Sequence, residues 1–123
     1  MPLLAQIAVG FVALLHFGFL VLEMGFWDKP QGMRAFGTTP EFAAASKALA
    51  ANQGLYNGFL AAGLVWALVP FGAEASAAAL ASFFLACVIV AGVFGALTAN
   101  RRILVIQALP ALVALVLVWV LPA

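Results

Sequence analysis

The sequence predicts an all-α membrane protein, a bundle of four transmembrane helices with both termini on the non-cytoplasmic side. Of its 123 residues, 67% are hydrophobic and only 7% are charged, and the mean hydropathy is +1.23. These values lie far outside the range of ordinary soluble domains. Four apolar segments are each long enough to cross about 30 Å of hydrocarbon. The positive charges cluster near two of the three connections between these segments.

The whole chain, residues 1–123, is expected to form a single transmembrane domain. The predicted helices cover residues 3–27, 43–70, 76–99 and 103–121, and the connection 28–42 is predicted to lie at the cytoplasmic membrane interface. Thr39 is a typical N-cap residue, and Pro40 suits the first turn of the second helix. Pro70 and Gly72 are expected to end that helix. Pro110 removes one backbone hydrogen bond from the fourth helix and predicts a kink there.

Charge predicts the orientation of the helices. All five cations lie in or beside the first and third connections: Lys29, Arg34, Lys47, Arg101 and Arg102. Because cytoplasmic loops of membrane proteins are enriched in Lys and Arg, these two connections are expected to face the cytoplasm. Both termini are then on the other side of the membrane.

Composition also argues against several classes of protein. The net charge is only +1 and the longest basic run is Arg101–Arg102, so we expect no nucleic-acid partner. There is one histidine, and the single cysteine, Cys87, lies in an apolar segment, so we expect no metal site and no cofactor. The lipid bilayer is the first expected partner.

Two ionisable residues lie within the first predicted helix. His16 and Glu23 are two helical turns apart, which places them on one face with roughly 10 Å between their levels. An ionisable side chain near the centre of a membrane costs at least about 2.5 kcal/mol to insert. Each of them is therefore expected to have a partner or a function.

Counting residues inward from the cytoplasmic ends predicts two layers of polar side chains. Glu23, Asn52 and Gln107 fall at one level, roughly 6 to 8 Å inside, whereas His16 and Asn57 fall deeper. Together they predict one ligand-binding cavity, lined by His16, Glu23, Asn52, Gln53, Tyr56, Asn57, Thr98 and Gln107. The plainer alternative is that the amides and hydroxyls only hydrogen-bond neighbouring helices together.

Small residues predict close contacts between helices. Gly54 and Gly58 form a small-xxx-small motif in the second helix, and Gly92 and Gly95 form a similar stripe in the third. Such faces pack either within one bundle or between the protomers of a homo-oligomer. The sequence leaves both arrangements open.

The segment Ala50–Leu64, AANQGLYNGFLAAGL, is unusually polar for a membrane helix. Together with His16 and the segment Leu22–Met24, it resembles a family of small bacterial membrane proteins of unknown function, DUF1304. The resemblance covers essentially the whole chain and implies a four-helix protein of the bacterial inner membrane. It implies no activity, substrate or reaction.

Three functions are compatible with these residues. The first is the binding or transport of a small amphipathic molecule in the polar cavity, with Glu23 as the protonatable group. The second is a structural or accessory membrane subunit, whose polar residues hold the helices in register. The third is a membrane-embedded enzyme acting on a lipid or isoprenoid-like substrate, with Glu23 as the acid/base and His16 or Tyr56 assisting. Nothing in the chain supplies an activated nucleophile, which makes the enzyme the weakest of the three.

Overall fold

A computed structural model describes residues 1–69 and 76–122. Five helices and one π-helical turn occur in this part of the chain: α1 Leu3–Gly25, α2 Pro30–Phe36, α3 Pro40–Leu68, α4 Ala77–Thr98, the π-helical turn Leu104–Ala108 and α5 Leu109–Val120. The two described stretches contain no β-strand. The predicted all-α class is confirmed.

Helix α3 begins where its capping residues place it. The backbone N–H of Phe42 donates to Oγ1 of Thr39 at 3.2 Å, and Pro40 is the first helical residue. The cap therefore forms as predicted, and α3 starts three residues before the predicted residue 43. Its predicted end at Pro70 and Gly72 lies outside the described residues.

The first connection contains α2, a short helix held against the end of α1. A Cβ at Gly32 would collide with the backbone carbonyl of Phe26, so the two backbones lie in direct contact. The rings of Trp27 and Phe36 pack with their centroids 5.1 Å apart. Gly37 ends α2 in the left-handed conformation, with φ of 66°, which glycine adopts without strain.

The predicted kink at Pro110 takes the form of a π-helical turn. The backbone N–H of Leu109 bonds to the carbonyl of Leu104, one residue further back than in an α-helix. Proline has no N–H to donate to the carbonyl of Ile106, and a local π-helical adjustment is a common response to such a break. Gln107 lies within this turn.

Two of the described helices, α1 and α4, are long and apolar enough to cross a membrane. Helix α3 is longer, with 29 residues, but is more polar because it carries Lys47, Asn52 and Asn57. The segment Leu104–Val120 is apolar and shorter.

The chain forms two compact units. One comprises Met1–Leu14 and Leu60–Ala123, and the other comprises Leu15–Phe59. The first has an apolar core, whose largest fully buried side chains are Val9, Val12, Leu64, Leu85 and Val88. The second contains all three buried polar residues of the described chain, His16, Glu23 and Asn57. The candidate site is therefore in the second unit.

Candidate functional site

The centre of the candidate site is a buried carboxyl group. Glu23, in the last two turns of α1, is 2% exposed, and Asn57 on α3 is 8% exposed. Nδ2 of Asn57 donates to Oε1 of Glu23 at 2.6 Å. Gln53, one turn earlier on α3, lies close enough to the Glu23 carboxyl group to act on it electrostatically. Because residues four apart share one face of a helix, the same face of α3 presents both amides to the carboxyl group.

The contact depends on a close approach of α1 and α3. A Cβ at Gly54 would lie 2.8 Å from Cγ of Met24 and 3.0 Å from Cβ of Glu23. A Cβ at Gly58 would lie 2.6 Å from Cδ1 of Leu20. These three distances are too short for a larger residue unless the side chains of α1, or α1 itself, move. The Gly54/Gly58 motif therefore packs within the chain, one of the two arrangements that the sequence left open.

A line of polar side chains continues from the buried carboxyl group to the surface of α3. Successive helical residues are rotated by roughly 100°, so Asn57, Gln53, Tyr56 and Asn52 follow one another around roughly 140° of the helix. Asn57 is buried, whereas the other three residues are exposed. Nδ2 of Asn52 donates to the hydroxyl oxygen of Tyr56 at 3.3 Å. We call these four residues and Glu23 the polar strip.

Gln53 lies between the two ends of the polar strip around the helix. It acts on the buried carboxyl group of Glu23, yet the residue itself is exposed. A polar molecule at the position of the Gln53 amide would reach Glu23 directly from the surface of α3. Amides both donate and accept hydrogen bonds, and a carboxyl group changes from acceptor to donor when it is protonated. The strip therefore presents several kinds of hydrogen-bonding group side by side.

The remaining predicted site residues have other surroundings. His16 is fully buried on α1 in the same unit, and its ring packs edge-on against Phe19 at 5.1 Å. Thr98 is exposed and its hydroxyl donates to the carbonyl of Phe94 in its own helix at 2.7 Å. Gln107 is half-buried in the π-helical turn. Thr98 and Gln107 belong to the first compact unit, whereas the polar strip belongs to the second.

The structure changes the predicted layering of the polar residues. Counting from Trp27 and Lys47 placed Asn57 deeper than Glu23, but the two side chains are bonded directly. Trp27 lies in a turn beyond the end of α1, where the chain no longer advances by about 1.5 Å per residue along a helix axis. The count from Trp27 therefore placed Glu23 too close to the end of the helix pair that α1 and α3 form. In the structure, Glu23 lies beside Gly54 instead.

Sequence reasoning missed a set of polar contacts at the end of the helix pair. The indole N–H of Trp27 donates to Oγ of Ser46 at 3.1 Å, and Nζ of Lys47 lies 3.0 Å from Oδ2 of Asp28. The hydrogen bond from Lys47 lowers the pKa of the Asp28 carboxyl group. The only sequence signal for this pair is the opposite charge of two residues that flank the same connection.

The comparisons with known proteins identify a family without an assigned activity. A family model described as a protein of unknown function (DUF1304) matches residues 10–119. The matched range includes the polar strip, α2 and the π-helical turn. No curated protein and no solved structure matches the chain.

Proposed function

We infer that this chain, which belongs to the DUF1304 family of unknown function, binds or transports a small amphipathic molecule at the polar strip, with Glu23 as the protonatable group. The observation that carries the proposal is that one sector of α3 carries polar side chains from Asn57, which is bonded to buried Glu23, to the exposed pair of Asn52 and Tyr56. Such a sector is costly inside a membrane unless it serves a partner.

The proposal places the protein in a bacterial inner membrane as a four-helix, multi-pass protein. Helices α1 and α4 have the length and composition of membrane spans. At 1.5 Å per residue, α3 is roughly 43 Å long and Leu104–Val120 roughly 25 Å, so both can serve as the remaining two spans. The bias of the cations toward the first and third connections supports a topology with both termini outside.

The outer part of the polar strip has the chemistry of an amphipathic site. The bond between Asn52 and Tyr56 engages one amide N–H and the phenol oxygen, so the amide carbonyl and the phenol O–H can serve a bound molecule. Hydrocarbon offers no water for these groups. Exposed Leu55 and Phe59 lie on the same helix and supply apolar contact area. A molecule with one polar end and an apolar body fits this combination.

Glu23 links binding to protonation. A neutral carboxyl group donates one hydrogen bond, whereas a carboxylate only accepts them. A proton on Glu23 therefore changes which polar group the strip can hold. Binding at the strip is expected to depend on pH, and that dependence is expected to disappear in Glu23→Gln.

Native mass spectrometry of the protein purified in mild detergent tests this proposal. The variants are Glu23→Gln and, as a matched control, Glu41→Gln, which removes an exposed carboxyl group from the first turn of α3. We expect a discrete added mass on the wild type and on Glu41→Gln that is lost or weakened in Glu23→Gln. An equal added mass on all three proteins would contradict the proposal. The same spectra report whether the protein is a homo-oligomer.

A structural role is the second candidate, and one observation favours it. Asn57 already hydrogen-bonds to Glu23, so the cluster also joins α1 to α3. Bonds of this kind contribute on average about 0.6 kcal/mol each in membrane proteins. Absence of any added mass on all three proteins, with Glu23→Gln less stable than Glu41→Gln, would support this second candidate over the first.

A further inference from the structure

We propose that the turn between α1 and α3 binds the phosphate groups of anionic phospholipids. The turn surface consists of two exposed cations, Lys29 and Arg34, and two exposed rings, Phe26 and Phe42. The inference shares with the proposed function only the location in a membrane. It requires no ligand at the polar strip.

The turn surface is carried by an ordered element. Gly32 of α2 lies directly against the Phe26 carbonyl, and the rings of Trp27 and Phe36 pack at 5.1 Å. The indole N–H of Trp27 also donates to Ser46 on α3 at 3.1 Å. These contacts hold α2 to the turn that follows α1, and Trp27 ties that turn to α3. The backbone of α2 therefore has a defined position beside the ends of α1 and α3.

The cations of the turn exceed its carboxylates by one. Asp28 is bonded to Lys47 at 3.0 Å and also interacts electrostatically with the adjacent Lys29. Glu41 adds a second carboxylate in the first turn of α3. Three cations and two carboxylates give residues 26–47 a net charge of +1. A guanidinium group such as that of Arg34 bonds phosphate oxygens in pairs, and an ammonium group binds them as a point charge.

The exposed rings indicate that the phosphate is that of a lipid. Phe26 is 39% exposed and Phe42 is 56% exposed. Aromatic and aliphatic side chains next to cations are typical of segments at a membrane surface, where rings enter the acyl boundary and cations reach the headgroups. A soluble phosphate would use the cations but would leave both rings in water.

Quenching of Trp27 fluorescence by brominated lipids tests the proposal locally. The background Trp66→Phe/Trp119→Phe leaves Trp27 as the single tryptophan, and the protein is reconstituted into vesicles that contain equal fractions of brominated phosphatidylglycerol or brominated phosphatidylcholine. We expect stronger quenching by the phosphatidylglycerol. Lys29→Gln/Arg34→Gln is expected to lower this preference by roughly fivefold for each cation removed. Arg101→Gln/Arg102→Gln removes the same charge elsewhere and is expected to preserve it.

Several outcomes would overturn the proposal. They are equal quenching by the two lipids in the background protein, an undiminished preference in Lys29→Gln/Arg34→Gln, and an equal loss in both double variants. Abolition of the preference by inorganic phosphate at matched ionic strength would assign the cations to a soluble anion. The preference is expected to survive in Glu23→Gln, which separates this inference from the proposed function.

A second measurement keeps all native tryptophans, because Trp119 donates a 2.7 Å hydrogen bond to Ser82 that Trp119→Phe would remove. Native mass spectrometry after incubation with an equimolar mixture of the two lipids, with identical acyl chains, gives the ratio of bound species. We expect phosphatidylglycerol to be enriched on the wild type and on Arg101→Gln/Arg102→Gln. Lack of enrichment on the wild type would overturn the proposal.

Discussion

Asn57 on α3 donates a 2.6 Å hydrogen bond to Glu23 on α1, across 34 residues of sequence, and both residues are buried. The bond lies near Gly54, where a Cβ would come within 3.0 Å of Cβ of Glu23. It is at once a link between helices and a partner for an ionisable group. Substitutions of its two members separate these roles.

The energetic coupling between the two residues is measurable by a double-mutant cycle. For Glu23→Leu, Asn57→Leu and the double variant, we expect an interaction energy between about 0.6 and 1.7 kcal/mol, the average and the maximum for hydrogen bonds between membrane helices. Reversible unfolding in detergent gives the free energies of unfolding of the wild type and the three variants. Strictly additive effects would mean that the bond contributes nothing to stability.

Gly54→Ala is expected to destabilise the protein by about 1 to 3 kcal/mol, because the added methyl group overpacks the contact with Met24 and Glu23. Gly18→Ala is the matched control, since nothing lies within 4 Å of a Cβ at that helical position. Because alanine has a higher helix propensity than glycine, we expect Gly18→Ala to leave the free energy of unfolding unchanged or to raise it by up to about 1 kcal/mol. Thermal unfolding of the two variants in the same detergent compares them. Equal effects would argue against the close approach of α1 and α3.

Gly32→Ala is expected to detach α2 from the end of α1, because its methyl group would meet the backbone carbonyl of Phe26, which has no rotamer to escape into. The contact between Trp27 and Phe36 would then loosen, and Trp27 emission is expected to shift to longer wavelength. Gly25→Ala serves as the control, since its Cβ meets nothing within 4 Å. An unchanged spectrum in Gly32→Ala would contradict the packing described for α2.

The pair of Asp28 and Lys47 predicts a loss of stability in acid. The hydrogen bond from Lys47 lowers the pKa of Asp28 below its ordinary value of 3.8. The carboxylate therefore stabilises the folded state at pH values above 3.8. This stabilisation is lost as the pH falls through the lower pKa that Asp28 has in the folded state. Thermal midpoints measured from neutral pH downward should fall less steeply in Asp28→Asn than in the wild type. Lys47→Gln should reproduce the shallower profile, and a profile identical to the wild type would contradict the pairing.

Much of the fold was predictable because its signals are local. Composition and apolar segment lengths predict helices, and α1, α4 and α5 lie within predicted segments, whereas α3 begins three residues before its own and α2 lies in the first connection. The Thr39–Pro40 cap forms as predicted because capping depends on neighbouring residues alone. The form of the break at Pro110 was less predictable, since a kink and a π-helical turn both accommodate a missing N–H.

The candidate site was predictable in its members but not in its pairings. Glu23, Gln53 and Asn57 stood out because polar groups are costly in apolar helices. Their contact required the relative position of α1 and α3, which depth counting misjudged because Trp27 lies in a turn beyond α1. The salt bridge between Asp28 and Lys47 also depends on how that turn closes.

The sequence by itself determined that the chain is helical and apolar, that it belongs with the DUF1304 family, and that His16 and Glu23 are the two ionisable residues within its first helix. The tertiary structure alone decided that Asn57 bonds to Glu23 while Asn52 and Tyr56 face outward. The physical reason lies in the helices themselves. Apolar residues surround most of each helix, so hydrophobicity does not specify how it is rotated about its axis. That rotation is set by shape, where Gly54 and Gly58 admit Leu20 and Met24 of α1.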